Sequence, residues 1–130
     1  MKQNISELAQ TIYRVKQESD KVLDLHFARV FKKSIIKEHQ FYVPINRNNL
    51  TKLDYGLRKS DDKIYLVVFT DLCFVRINDN VDAVKMKMYQ ILKILEQDTK
   101  IYGITINPFH KEYGLEISRK NFSNIWLSKT

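Results

Sequence analysis

Two apolar runs constrain this chain more than any other feature: Lys63-Ile64-Tyr65-Leu66-Val67-Val68-Phe69-Thr70-Asp71 and Ile101-Tyr102-Gly103-Ile104-Thr105-Ile106-Asn107-Pro108. Both are short and rich in β-branched and aromatic residues, and their apolar positions are consecutive rather than alternate. That pattern marks strands covered on both faces, at the centre of a sheet with helices or loops on either side. Each run ends in a polar pair, Thr70-Asp71 and Asn107-Pro108. Polar residues just past strand ends line ligand crevices in open sheets. Thr and Asp also cap helices, and Asn before Pro starts turns.

The segments around these strands follow from spacing. No Gly or Pro occurs before Pro44, which favours helix over the first forty residues or so. Asn4, with Glu7 three residues on, can open a helix whose apolar face is Ile5, Leu8, Ala9, Ile12 and Val15. Ser19 and Asp20 offer a second start, because one helix from 5 to 37 would be about 50 Å long, larger than the domain. The second helix, over 20–37, places Leu23, Phe27, Val30, Phe31 and Ile35 on one face and His26, Arg29, Lys33 and Lys37 on another. Phe41 to Ile45 reads as a strand, at an edge or ending near Pro44, which has no N–H to donate. Ser60-Asp61-Asp62-Lys63 is turn chemistry and makes 55–70 a hairpin. Thr70 begins a short helical turn over 71–77. Val84, Met86 and Met88 alternate with Lys85 and Lys87 as a strand with one solvated face. A helix over Tyr89–Gln97, a return strand over Leu115–Ser118 and a closing helix over Arg119–Leu127, with Phe122, Ile125 and Trp126 on one side, complete the chain.

The 130 residues amount to one domain, and 44% hydrophobic residues suffice for a core. The expected architecture is α+β: a mixed or largely antiparallel sheet of about five strands flanked by helices. An N-terminal helical extension over 1–19 precedes the main body, 20–127.

Several chemistries lack their motifs. Gly56, Gly103 and Gly114 form no phosphate-cradling loop. His26, His39 and His110 are scattered, with no ligand-spaced partner, so no metal or cofactor is expected. The single cysteine, Cys73, has apolar neighbours in Leu72, Phe74 and Val75 and reads as a buried small hydrophobe. One unpaired cysteine fits a reducing cytoplasm. Met1 to Val15 lacks the apolar stretch of a signal peptide, and no run approaches the ~18 apolar residues that span a bilayer. No membrane partner is expected.

Two groups of residues remain as candidate sites. The strand ends bring Thr70, Asp71, Asn107 and His110 into consideration as a ligand or enzymatic site, which requires a pocket joining Asp71, Asn107 and His110. The second group is basic. The net charge is +7, of which residues 1–65 carry +5 and residues 66–130 carry +2. Arg29, Lys33 and Lys37, with Lys32 and Arg47 near them in sequence, offer a face for an acidic protein or for phosphates. Nucleic-acid readers add aromatic platforms, and Tyr42, Tyr55 and Tyr113 are the aromatics outside the core pattern.

The order of four stretches resembles the N-terminal domain of the SseB family, over roughly residues 20–127. They are the Phe27/Phe31 helix leading to Phe41-Tyr42-Val43-Pro44-Ile45; the apolar strand ending in Phe69-Thr70; the 89–97 helix followed by Gly103-Ile104-Thr105-Ile106-Asn107-Pro108; and Leu115-Glu116-Ile117-Ser118 with the closing helix. The resemblance implies a cytoplasmic bacterial α+β domain and brings no catalytic residues with it. The expected function is therefore a non-enzymatic protein-interaction or regulatory module with an acidic protein partner and no assigned catalytic residue; self-association is left open. The alternatives are sequence-independent nucleic-acid binding through the basic helix face, and a ligand or enzymatic site at the strand ends.

Overall fold

The computed structural model describes residues 5–18, 33–46, 55–75 and 81–127. Helix α1 (Glu7–Glu18) is preceded by Ser6, whose Oγ accepts the Ala9 N–H at 3.2 Å. Ser6 is thus the cap; Asn4, expected in that role, lies outside the described residues. Leu8, Ile12 and Val15 enter the main core, as their spacing predicts, and Ala9 enters a second, smaller cluster. Helix α2 (Lys33–Glu38) is the described end of the segment read as helix over 20–37, with Ile36 fully buried. The proposed face residues Leu23, Phe27, Val30 and Phe31 lie outside the described residues.

Six strands form two sheets, and the fold is α+β with a mixed sheet, as expected; the strands fall in the six segments read as strands, divided between two sheets rather than joined in one. Strands β1 (Phe41–Asn46) and β4 (Val81–Met86) pair antiparallel. The other sheet has the order β2 (Leu57–Ser60), β3 (Lys63–Val68), β5 (Ile101–Ile106) and β6 (Leu115–Ser118), with only β3–β5 parallel. Asp61 and Asp62, with φ of 50° and 64°, close the β2–β3 hairpin. Left-handed backbone at both positions matches the twist of the flanking strands, and Asp tolerates it better than branched residues. The parallel pair needs a long crossover. It contains a 3-10 turn (Leu72–Phe74), β4 and α3 (Met88–Gln97). Helix α4 (Arg119–Leu127) closes the chain, and Arg119 donates to the carbonyls of Leu95, Asp98 and Ile101, tying the α3–β5 turn to it.

Strand alternation decides the two faces of the central strands. Leu66, Val68, Ile104, Ile106, Leu115 and Ile117 share the main core with α1, Met88, Ile91, Phe122 and Ile125. Val67 and Phe69 point the other way, into the second cluster with Ala9 and Phe74. Strand β3 is therefore covered on both faces, as its composition predicts.

Three local expectations are corrected. β1 ends at Asn46, two residues past Pro44, as one arm of the expectation has it, but its side away from β4 is not a free edge. Tyr42 exchanges both backbone bonds with Phe69, and the Pro44 carbonyl accepts the Gly56 N–H at 2.9 Å. By alternation, the Pro44 nitrogen faces the gap between these isolated bridges, where no donor is required. β4 ends at Met86, and Met88 begins α3. The Gln90 side chain accepts the Lys87 N–H at 2.9 Å and closes the helix start, while Met88 stays buried, which prolongs the strand-like alternation. Cys73 is exposed. A 3-10 turn of three residues turns only Phe74 inward and leaves Leu72 and Cys73 outside.

Candidate functional site

Because β3 and β5 are parallel, their C-terminal ends lie side by side and bring Thr70-Asp71 against Asn107. The Asn107 N–H donates to the Val68 carbonyl at 2.9 Å, extending the ladder by one residue. The Asn107 backbone then turns left-handed, with φ of 49°. Its amide is fully engaged. Oδ1 accepts the Thr70 N–H at 3.0 Å, and Nδ2 donates to Thr70 Oγ1 at 3.0 Å and to the Tyr113 carbonyl at 3.1 Å. Both residues are buried, Thr70 at 2% exposure and Asn107 at 0%. The Asp71 carboxylate accepts the Ser6 N–H at 2.7 Å and the Ser6 hydroxyl at 2.8 Å. Lys16 of α1 adds a tie by donating to the carbonyls of Lys111 and Gly114.

His110 joins this group through its backbone: its N–H donates to the Asn107 carbonyl at 2.9 Å. Its ring lies against Phe74, with centroids 4.6 Å apart, and Nε2 is buried without a hydrogen-bond partner among the described residues. Thr70, Asp71 and Asn107 are thus brought together with their polar atoms committed to each other, to Ser6 and to Tyr113. A nucleophile–base relay needs such groups aimed at a substrate. Among the described residues, no cluster of His, Cys, Asp and Glu has metal-holding geometry.

The sequence reading missed His39 at this place. Its Nε2 lies 2.7 Å from the Thr70 carbonyl, so that nitrogen carries the proton, and its ring meets Phe41 edge-on. Only the pairing of β1 with the end of β3 brings His39 here, and no local motif announces that. Burial lowers the His39 pKa below 6.5, opposed by the Thr70 carbonyl and Asp71. The unfolded chain therefore takes up a proton before the folded one does as pH falls. Stability from this residue is complete above 6.5 and declines as pH drops toward the lower folded-state pKa. His39→Gln keeps an N–H donor without the titration. The difference in urea midpoint between about pH 7.5 and about pH 5.5 should be smaller in that variant than in the parent. An equal difference would show that His39 does not contribute.

Of the basic candidates, Arg29 and Arg47 lie outside the described residues, and Lys33 opens α2. Lys37 is half-buried, with Nζ 6.0 Å from the ring centroid of Trp126 on α4. The aromatics differ from expectation. Tyr42, Tyr55 and Tyr113 are half-buried against the two clusters, whereas Tyr102 and Phe109 are 42% and 53% exposed.

These two rings belong to a strip on the sheet face opposite the main core. Arg58 of β2 pairs with Tyr65 of β3, which pairs with Gly103 of β5. A bulge between Ile64 and Tyr65 sets Tyr102 outward. Lys63 Nζ stands 4.3 Å from the Tyr102 centroid, and Tyr102 meets Tyr65 edge-on at 5.6 Å. Arg58 stands 5.4 Å from the Phe109 centroid, and Phe109 stacks on Phe69 at 6.4 Å. Sequence spacing does not reveal the strip, because its residues come from a hairpin and from a strand some forty positions later.

Comparison with protein-family models, curated proteins and solved structures returned no match.

Proposed function

We propose that the chain is a non-enzymatic interaction or regulatory module that engages an acidic protein partner through the segment carrying Arg29, Lys33 and Lys37, with Arg47 near it in sequence. One observation carries the reading. The side-chain amide and carboxylate on which a strand-end active site would depend are held in bonds internal to the fold, Asn107 to Thr70 and Tyr113 and Asp71 to Ser6, while the His110 ring is buried against Phe74. The charge supports it, since +5 of the net +7 lies in residues 1–65. The resemblance to the SseB N-terminal domain supports a cytoplasmic bacterial setting for such a module. Among the described residues, no helix is long and apolar enough to cross a membrane.

Charge reversal tests the proposal. Arg29→Glu with Lys33→Glu should abolish capture of the partner from native lysate at moderate salt while leaving Tm nearly unchanged. Lys37 is left intact because its ammonium lies near Trp126. Undiminished capture by the folded double variant would contradict the proposal.

A further inference from the structure

The strip of cations and rings on the sheet face opposite the main core has no part in the internal clamp at the strand ends. Its two outer rings expose about half their surface, with Tyr102 at 42% and Phe109 at 53%. Each has a cation beside it, Lys63 and Arg58 respectively. Neither cation forms an ion pair with a carboxylate among the described residues. Two positive charges therefore stand beside half-exposed rings without a carboxylate partner among the described residues. Gly103 pairs with Tyr65 and contributes no side chain, and Tyr65 is itself buried at 7% exposure, so the accessible rings of the strip are Tyr102 and Phe109. The rings are held on the two central strands and on the turn fastened by Asn107, which makes the platform rigid.

We propose that this face binds single-stranded nucleic acid, with bases stacked on Tyr102 and Phe109 and phosphates held by Arg58 and Lys63. Stacking surfaces combined with cations suit unpaired strands, whose bases are free to leave their own stack. Tyr65 and Phe69 are four residues apart on one strand, which sets the two stacking positions about 13 Å apart. That span takes a few nucleotides. Every base has a π-face, so binding should be tolerant of sequence. Asp61 and Asp62 in the hairpin turn and Glu116, on the same face of β6, border the strip and direct a polyanion along β2 and β3. An acidic peptide would use the cations but has no need of the exposed rings. The inference does not rest on the protein-partner reading, since it uses different residues.

The test is fluorescence anisotropy of the whole chain with a labelled oligothymidylate of about 12 nucleotides, within the usual range of single-strand site sizes. Binding is expected at low salt and should weaken as salt rises. Tyr102→Ala and Phe109→Ala should each weaken it at least about fivefold, while Tyr102→Phe and Phe109→Tyr stay close to the parent. Arg58→Ala and Lys63→Ala should each lower the log–log salt slope by about 0.7. Arg29→Glu with Lys33→Glu should leave the dependence on Tyr102 and Phe109 intact, which separates this site from the basic helix segment. The proposal is overturned by no binding at about 50 mM salt, where nonspecific contacts are strongest. It is equally overturned by indifference to both ring deletions in folded variants, or by a duplex or polyglutamate competing as well as the single strand.

Discussion

Replacing Asn107 with alanine should destabilise the protein by about 3–5 kcal/mol, because several mechanisms act at one position. The Thr70 N–H, Thr70 Oγ1 and the Tyr113 carbonyl lose their partner together. Thr70 is buried, so its groups do not recover that bonding from water. Alanine must also adopt a φ near 49°, where its Cβ crowds the carbonyl. Asn107→Gly separates the two effects. It keeps the easy left-handed backbone and loses the same amide, so it should be less damaging than alanine by about 1 kcal/mol. For alanine, a fall in Tm on the order of 10 °C is expected. If the glycine variant matched the parent in urea denaturation, the amide would have no part in holding the strand ends.

Gly103→Ala is expected to cost about 3 kcal/mol, at the upper end of overpacking, by forcing β5 and β6 apart. A Cβ at this position would stand 2.2 Å from the Ile117 carbonyl oxygen, 2.8 Å from Ser118 Cα and 3.0 Å from the Ile117 carbonyl carbon. All three are backbone atoms, so no side chain can rotate out of the way. Gly103 pairs with Ser118, and the next pairs bring Ile117 and Leu115 into the core. Separation at Gly103 would loosen both. Urea denaturation measures the loss, and amide exchange along Leu115–Ser118 should rise with it. A cost below about 1 kcal/mol would mean that the strands can part locally without disturbing the core.

Much of the fold is legible where periodicity is strong. The double-sided apolar runs gave β3 and β5, and helical spacing gave α1, α3 and α4. It fails where neighbouring elements share a pattern. Met88 continues the alternation of Val84 and Met86, yet it starts a helix, because a buried helix residue can satisfy the same spacing. Cys73 shows the limit for short elements: three residues of 3-10 turn have no period from which a buried face can be read. Pro44 shows that a missing donor need not mean an edge, since among the described residues the strand meets the other sheet on that side through isolated bridges.

The candidate site was half legible. Thr70, Asp71 and Asn107 stand out as polar ends of apolar strands. Their mutual bonds depend on the parallel register of β3 and β5, which spacing alone does not specify. His39 and the strip of Arg58, Lys63, Tyr102 and Phe109 depend on that register and on β1 joining β3. Those are contacts between distant segments. On the proposed reading, function rests on the charged surfaces rather than on the strand ends.

The central claim is that the polar strand ends are an internal clamp, and native-state hydrogen exchange at the Thr70 amide tests it most directly. That N–H donates to Asn107 Oδ1 in a buried setting. The account predicts that it exchanges only through large-scale unfolding, with a protection free energy close to the global stability, and that Asn107→Gly removes most of this protection. Exchange at the rate of an open loop in the parent protein would contradict it, and would return Thr70 and Asn107 to the list of groups free to meet a ligand.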